Sequence, residues 1–235
     1  MVSRLERLNL KRNLFGSPSL DEWPLLAVVD EAHFLSFLAQ PGRRVIQFMG
    51  ECGRGKSTHM RVLHAHYPNA PYLYFGPQDH PKIPRHAPIV FLDETQRIPW
   101  LRRQFLWRQH QTFVIGTHRN HQKEFERAHV HMLHHDVEGL DESRLRQIID
   151  RRLAWAIRDP RQPSVEVTPE LITGVLAFYG DDIRAIFSLL YEVVQSMNAP
   201  GPIPWPPPSN IALIEPSHHL RPGEVRTYTS YAQNS

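Results

Sequence analysis

The sequence predicts an α/β fold: a parallel five-stranded sheet sandwiched by helices, followed by a small three-helix domain. Three observations carry this. Gly50 to Ser57 fits the phosphate-binding loop pattern GxxxxGK(S/T), between an apolar run and a helical pattern. Four further apolar runs follow, flanked by polar loops, as in a sheet buried on both faces. From Leu140 onward the pattern is helical only.

In chain order, residues 1–40 form an N-terminal lead-in. Asn9 to Gly16 reads as irregular. Pro24 to Leu38 reads as a helix with Leu25, Val28, Val29, Phe34, Leu35 and Leu38 as its apolar set. Pro41-Gly42 ends it. Within it, Asp30-Glu31-Ala32-His33 spells a helicase DEAH box. That box must end a strand and follow the phosphate loop. Here it precedes the loop on a helical period, so the helicase reading is rejected.

Residues 41–138 make the α/β core. Val45 to Met49 is the first strand, and Ser57 to His64 opens the helix after the loop. Glycines let backbone N–H groups curl around a triphosphate, and the helix N-terminus adds its positive dipole end. The nucleotide-contacting set is Gly50, Glu51, Cys52, Gly53, Arg54, Gly55, Lys56, Ser57 and Thr58. Lys56 would reach the β- and γ-phosphates, and the Ser57 hydroxyl would hold Mg²⁺. Cys52 is the lone cysteine, so an intrachain disulfide is excluded. A small tolerated side chain is its plainer role, and a redox switch the alternative.

Pro71 to Phe75 is the second strand. Gly76 to His86 carries Pro77, Pro81 and Pro84 and reads as a loop. Ile89 to Asp93 is the third strand. It ends in Asp93, suited to support Mg²⁺, and Glu94, placed to orient and deprotonate a water. A helix over 99–109 leads to the fourth strand, Thr112 to Gly116. The polar group after it would lie near the γ-phosphate: Thr117 first, His118 second, with a satisfied turn residue as the alternative. A helix over 120–127 precedes the fifth strand, Val130 to His134. The histidines there (His129, His131, His134, His135) resemble a metal cluster. On a strand, His134 points opposite to His131 and His135, so they do not all converge.

Residues 139–198 make the helical domain. Leu145, Ile148, Ile149, Leu153 and Ala156 form one stripe. Thr168-Pro169 starts a second helix, ended by Gly180. Asp181 or Asp182 caps a third, with Ile183, Ile186, Phe187, Leu190 and Val194 inside. Residues 199–235 are proline-rich and read as a disordered tail or a docking strap for a protein partner.

The phosphate loop, Asp93-Glu94, the polar end of strand four and the three-helix lid together resemble the AAA+ ATPases. The resemblance spans residues 9–197. It implies Mg·ATP hydrolysis to ADP and phosphate, with assembly as a homo-oligomeric ring or filament. Gly180-Asp181-Asp182-Ile183-Arg184 looks like the family's sensor 2 motif, which implies that Arg184 contacts the γ-phosphate. The family's arginine finger acts on a neighbouring subunit; Arg127 fits it best, and Arg119 second. Asp93 to Arg97 with Val114 to Thr117 looks most like the transposition-regulator group (TnsC, TniB, ExeA) and the replication initiators. That implies control of a DNA transaction on duplex DNA. Two departures stand out: a short proline-rich link between strands two and three, and no winged helix after the lid. A protein-interaction switch of the STAND type, without nucleic acid, is the competing reading.

Bulk composition fits both. With 41% hydrophobic residues the 235-residue chain fills a core. No run of 18 apolar residues and no signal-peptide pattern is present, so a cytoplasmic protein without a membrane anchor is expected. Net charge is +3, and only four of the 27 basic residues are lysines. Arginine suits phosphate and interface contacts. Arg97, Arg102, Arg103 and Arg108 would touch a DNA backbone or form a solvated face. Trp100, Phe105, Leu106 and Trp107 read as packing residues.

Overall fold

The computed structural model describes residues 3–19, 21–79, 81–137 and 139–213. The chain divides into two compact units. One holds residues 20–138, the other residues 1–19 and 139–235. The lead-in read over 1–40 is therefore shared between them.

The first unit is built on five parallel strands: β1 (Arg44–Met49), β2 (Tyr72–Tyr74), β3 (Ile89–Asp93), β4 (Thr112–Thr117) and β5 (His131–Asp136). Their order is β2-β3-β4-β1-β5. β1 thus lies between β4 and β5, with Phe48 opposite Gly116 and His135. The chain leaving β1 emerges beside the end of β4, with β3 next beyond it, and ligands of open α/β sheets bind outside such strand ends.

Alternation along the strands fills two cores. Ile46, Phe48, Phe91 and Val114 face one side, against Phe34 of α3 (Glu31–Leu38) and Met60 and Leu63 of α4 (Lys56–His64). Val45, Val90, Leu92, Phe113 and Ile115 face the other. There they meet Leu106 of α5 (Trp100–Leu106) and Phe125 of α6 (Gln122–Arg127). Each fully buried side chain of this kind contributes ~1.5–3 kcal/mol relative to exposure.

The single helix expected over 24–38 is two. α2 (Trp23–Leu26) stops at Ala27, whose ψ of 141° is extended. Val28-Val29 follows, a β-branched pair with low helix propensity, and α3 restarts after Asp30. Asp30 and Glu31 open a helix ahead of the phosphate loop rather than ending a strand.

The second unit holds α7 (Glu142–Ala156), α8 (Pro169–Tyr179) and α9 (Ile183–Ser196). Asp141, Thr168 and Asp182 cap their N-termini through side-chain oxygens. The segment before residue 20 belongs to this unit. After α1 (Arg4–Arg7), Leu8, Leu10 and Leu14 are fully buried in its core. Arg152 is buried and donates to the carbonyls of Leu14 and Gly16, both at 2.9 Å. Burial lowers its pKa to about 10.

The start of the proline-rich segment also belongs here. Gly201–Pro202 pairs with Val165–Glu166, and Ile203 joins the core. The Trp205 indole lies against Gly174, where an added Cβ would meet it at 2.0 Å. The rest of the expected tail, 214–235, lies outside the described residues.

Candidate nucleotide site

The site is assembled at the C-terminal ends of β1, β3 and β4. The loop after β1 runs through Gly53 (φ 86°) and Gly55 (φ 100°) into α4. Those backbone values suit glycine, which has no Cβ to clash. Gly50 N–H bonds to the Thr117 carbonyl at 3.3 Å, tying the loop to β4. Cys52 is exposed, Arg54 and Thr58 are half-buried.

Lys56 is buried. Its ammonium donates to the carbonyls of Gly50 (2.9 Å) and Glu51 (2.8 Å), across the loop's concave side. The Ser57 hydroxyl donates to Asp93 Oδ2 at 2.6 Å. Asp93 is 3% exposed and also receives the Tyr72 hydroxyl on Oδ2 (3.0 Å) and the Glu94 N–H on Oδ1 (3.1 Å). Burial, with Asp93 alongside, raises the Tyr72 pKa far above its usual value, so the phenol stays a donor.

Gly116 makes room for this carboxylate. A Cβ there would lie 2.6 Å from Asp93 Oδ1 and 2.8 Å from Met60 Sδ. Only a glycine lets β4 pass this close to the end of β3.

Glu94 has φ 65°, a left-handed conformation rare for a residue with a side chain. It redirects the chain into the short 3₁₀ turn Thr95–Arg97. Its Oε1 is 3.2 Å from His118 Nε2, and its Oε2 accepts from Gln96 at 2.7 Å with Arg97 at 3.4 Å. Burial pushes the Glu94 carboxyl up. The His118 hydrogen bond, with the charges of His118, Lys56 and Arg97, outweighs it and lowers the pKa to about 2.

His118 Nε2 is also 3.4 Å from Lys56 Nζ. One ring nitrogen serves one of these partners at a time: with its hydrogen it donates to Glu94, without it accepts from Lys56. The structure thus brings together Lys56, Ser57, Asp93 and Glu94, and adds His118, the second choice for the end of strand four. Thr117 is fully buried, and its hydroxyl is engaged by the Arg119 N–H (3.0 Å) and His121 (3.2 Å). Gln96 and Tyr72 were not picked from sequence. A glutamine two residues past a carboxylate carries no signal. Tyr72 needs the pairing of β2 with β3, which spacing alone does not reveal.

Arg127 is exposed at the last position of α6, and Arg119 is exposed after β4. Arg184 is the second residue of α9, exposed, in the helical unit. His134 reaches Gln47 and Asp136, whereas His135 packs against Phe34, Phe48 and His59 on the other face of β5.

The arginines after β3 are used inside the fold. Arg97 donates to the Phe75 carbonyl (2.7 Å) and Tyr74 hydroxyl (3.1 Å). Arg102 donates to the Pro81 carbonyl at 2.8 Å. Arg103 forms a two-pronged pair with Glu124 at 3.0 and 2.6 Å, joined by the Trp107 indole N–H at 2.9 Å. Burial raises the Glu124 pKa, and the bonds from Arg103 and Trp107 reverse this to a net lowering. Arg108 is exposed. Of the residues read as packing, Leu106 and Trp107 are buried, but Trp100 and Phe105 are 53% and 69% exposed.

No protein-family model and no curated protein matches the chain. Among solved structures it is similar to a variant of RuvB from Thermotoga maritima. The TM-score is 0.50 at 15% identity, covering 80% of this chain and 69% of that one. What the two share is the fold, a five-stranded, all-parallel sheet with flanking helices. A DNA replication initiation factor aligns more loosely, with TM-score 0.45 and 14% identity over 71% of this chain and 62% of that one. At these identities the likeness is one of fold. Among the described residues, no helix is long and apolar enough to cross a membrane.

Proposed function

We propose that the chain is an ATPase of the AAA+ kind, which binds ATP with Mg²⁺ and uses hydrolysis to ADP and phosphate to control its own assembly. One observation carries this reading: Lys56, Ser57, Asp93, Glu94 and His118 meet at the ends of three neighbouring strands. The donors fit the ligand. Ser57 and Asp93 offer the hard oxygens that Mg²⁺ takes, and Lys56 rests on carbonyls across the loop that would wrap the phosphates. A bound Mg²⁺ would neutralise charge on the phosphate oxygens.

Each residue then has a task. The loop's N–H groups and Lys56 bind phosphate. Asp93 holds the Ser57 hydroxyl in place. Glu94, ionised, orients the attacking water and accepts its proton. His118 holds Glu94 and takes the position next to the γ-phosphate, since the Thr117 hydroxyl is committed to Arg119 and His121. Arg184 contacts the γ-phosphate, and Arg127, exposed on α6, serves a neighbouring subunit of a homo-oligomeric ring or filament. The cellular setting is the cytoplasm, and the work is regulation of a DNA transaction, as in the transposition-regulator and initiator group.

A second reading has its own support. Arg97, Arg102 and Arg103 are committed to contacts within the fold, which leaves Arg108 as the exposed cation of that segment. This favours a nucleotide-dependent protein switch of the STAND type over a DNA-backbone contact along α5. Light scattering with Mg·ATP, with and without duplex DNA, separates the two. ATP-dependent oligomers that grow on DNA support the regulator; DNA-independent oligomers support the switch. A chain that neither binds nor hydrolyses ATP overturns both.

A further inference from the structure

Asp93 receives three donors: Ser57 from the helix after the loop, the N–H of its chain neighbour Glu94, and Tyr72 from a different strand. Ser57 and Tyr72 both donate to Oδ2, at 2.6 and 3.0 Å, while Oδ1 takes the Glu94 N–H. Tyr72 stands on β2 opposite Phe91, diagonal to Asp93 on the same face of β3. Its ring stacks on Phe91 (6.1 Å, 11°) and meets the His64 edge at 5.5 Å (87°). The Arg61 guanidinium from α4 covers it at 5.5 Å. The phenol is therefore clamped between β3 and the helix that carries Ser57. Its hydroxyl donates to the Asp93 carboxylate, beside the Ser57 hydroxyl that shares the same oxygen.

We propose that Tyr72 is a positioning residue for the metal-holding carboxylate: it keeps Asp93 aimed at Ser57 when a divalent cation is bound. This deepens the nucleotide-binding reading and rests on it. Without Tyr72 the carboxylate keeps only Ser57 on Oδ2 and its own neighbour's N–H on Oδ1, and it can turn about its Cβ–Cγ bond. A further donor on Oδ2, from a different strand, restricts that turning. Partners of this outer kind set the orientation of metal-supporting groups and change metal affinity by 10–100-fold when lost.

The test is a Mg²⁺ titration of binding of a fluorescent ATP analogue to the full chain. It uses wild type, Tyr72→Phe, Asp93→Asn and the double variant. Tyr72→Phe keeps the ring and its stacking and removes only the hydroxyl. The expected result is a rise of about tenfold in the Mg²⁺ concentration giving half-maximal enhancement of binding. Analogue binding in chelator stays at the wild-type level, and Tyr72→Phe adds no further shift in the Asp93→Asn background. An unchanged Mg²⁺ curve overturns the assignment. So does an equal loss of binding in chelator, since damage to the fold is not specific to metal. Wild type that binds no analogue in either condition is a separate outcome: it removes the nucleotide reading itself.

Discussion

His118 Nε2 lies 3.2 Å from Glu94 Oε1, so the residue after β4 holds the residue after β3. The Glu94 carboxylate is thus held in part from a neighbouring strand. Gln96 and Arg97 occupy its other oxygen.

Removing the charge of Glu94 separates binding from turnover. Glu94→Gln is expected to keep ATP affinity within about twofold and to lower kcat by about 10²–10⁴, the usual worth of a general base. Filter binding and phosphate release measured on the same preparation check both halves. Equal turnover in the variant removes Glu94 from the mechanism.

The same carboxyl makes stability depend on pH. Its folded pKa lies below the usual 4.5, at about 2, so folding favours the ionised form. Its stabilising contribution is complete above about pH 4.5 and is lost as pH falls toward about 2. The gap in thermal stability between wild type and Glu94→Gln should therefore narrow across that window. A gap that widens on acidification contradicts the sign.

Gly116→Ala tests the close approach of β4 to Asp93. The added methyl meets Asp93 Oδ1 and Met60 Sδ within 3 Å. Urea unfolding should show a loss of about 1–3 kcal/mol, the cost of overpacking a filled site. A neutral effect would mean that the Asp93 side chain moves freely.

Arg103 and Arg108 should behave oppositely although both belong to the segment read as a DNA face. Arg103→Met leaves Glu124 buried without its ion-pair partner and should cost about 3 kcal/mol in urea unfolding. Arg108→Ala should fall within about 0.5 kcal/mol of wild type, as exposed substitutions do. If salt-sensitive retention on duplex DNA exists, Arg108→Ala should weaken it.

Arg127→Ala addresses action in trans. ATP binding should persist while turnover is lost, and adding Glu94→Gln chains should restore part of it, since one partner supplies the arginine and the other the carboxylate. Mixing that restores nothing argues against a shared site.

Much of this was legible before any coordinates. Gly50 to Ser57 announced itself because phosphate binding needs glycines and a lysine at fixed spacing, and the strand and helix around it supplied the context. The central strands β1, β3 and β4 were readable as apolar runs because the sheet is buried on both faces there. The helical caps at Thr168 and Asp182 were readable because a short polar side chain must satisfy the first free N–H groups. The break at Ala27–Asp30 was not, since Leu25, Val28 and Val29 keep a helical period even where the backbone is extended. Asn9 to Gly16 reads as irregular for want of period, yet Leu10 and Leu14 there are fully buried in the helical unit.

The sequence by itself determined which chemical groups this protein has and the local conformation around the phosphate loop, because those depend on neighbours within a few residues. Tertiary structure decided which groups meet. The order β2-β3-β4-β1-β5 sets His118 against Glu94, Tyr72 against Asp93, and Arg103 against Glu124. Each pair is about 20 residues apart in the chain. Strand register and helix packing bring its members within hydrogen-bonding distance, and no local pattern records that.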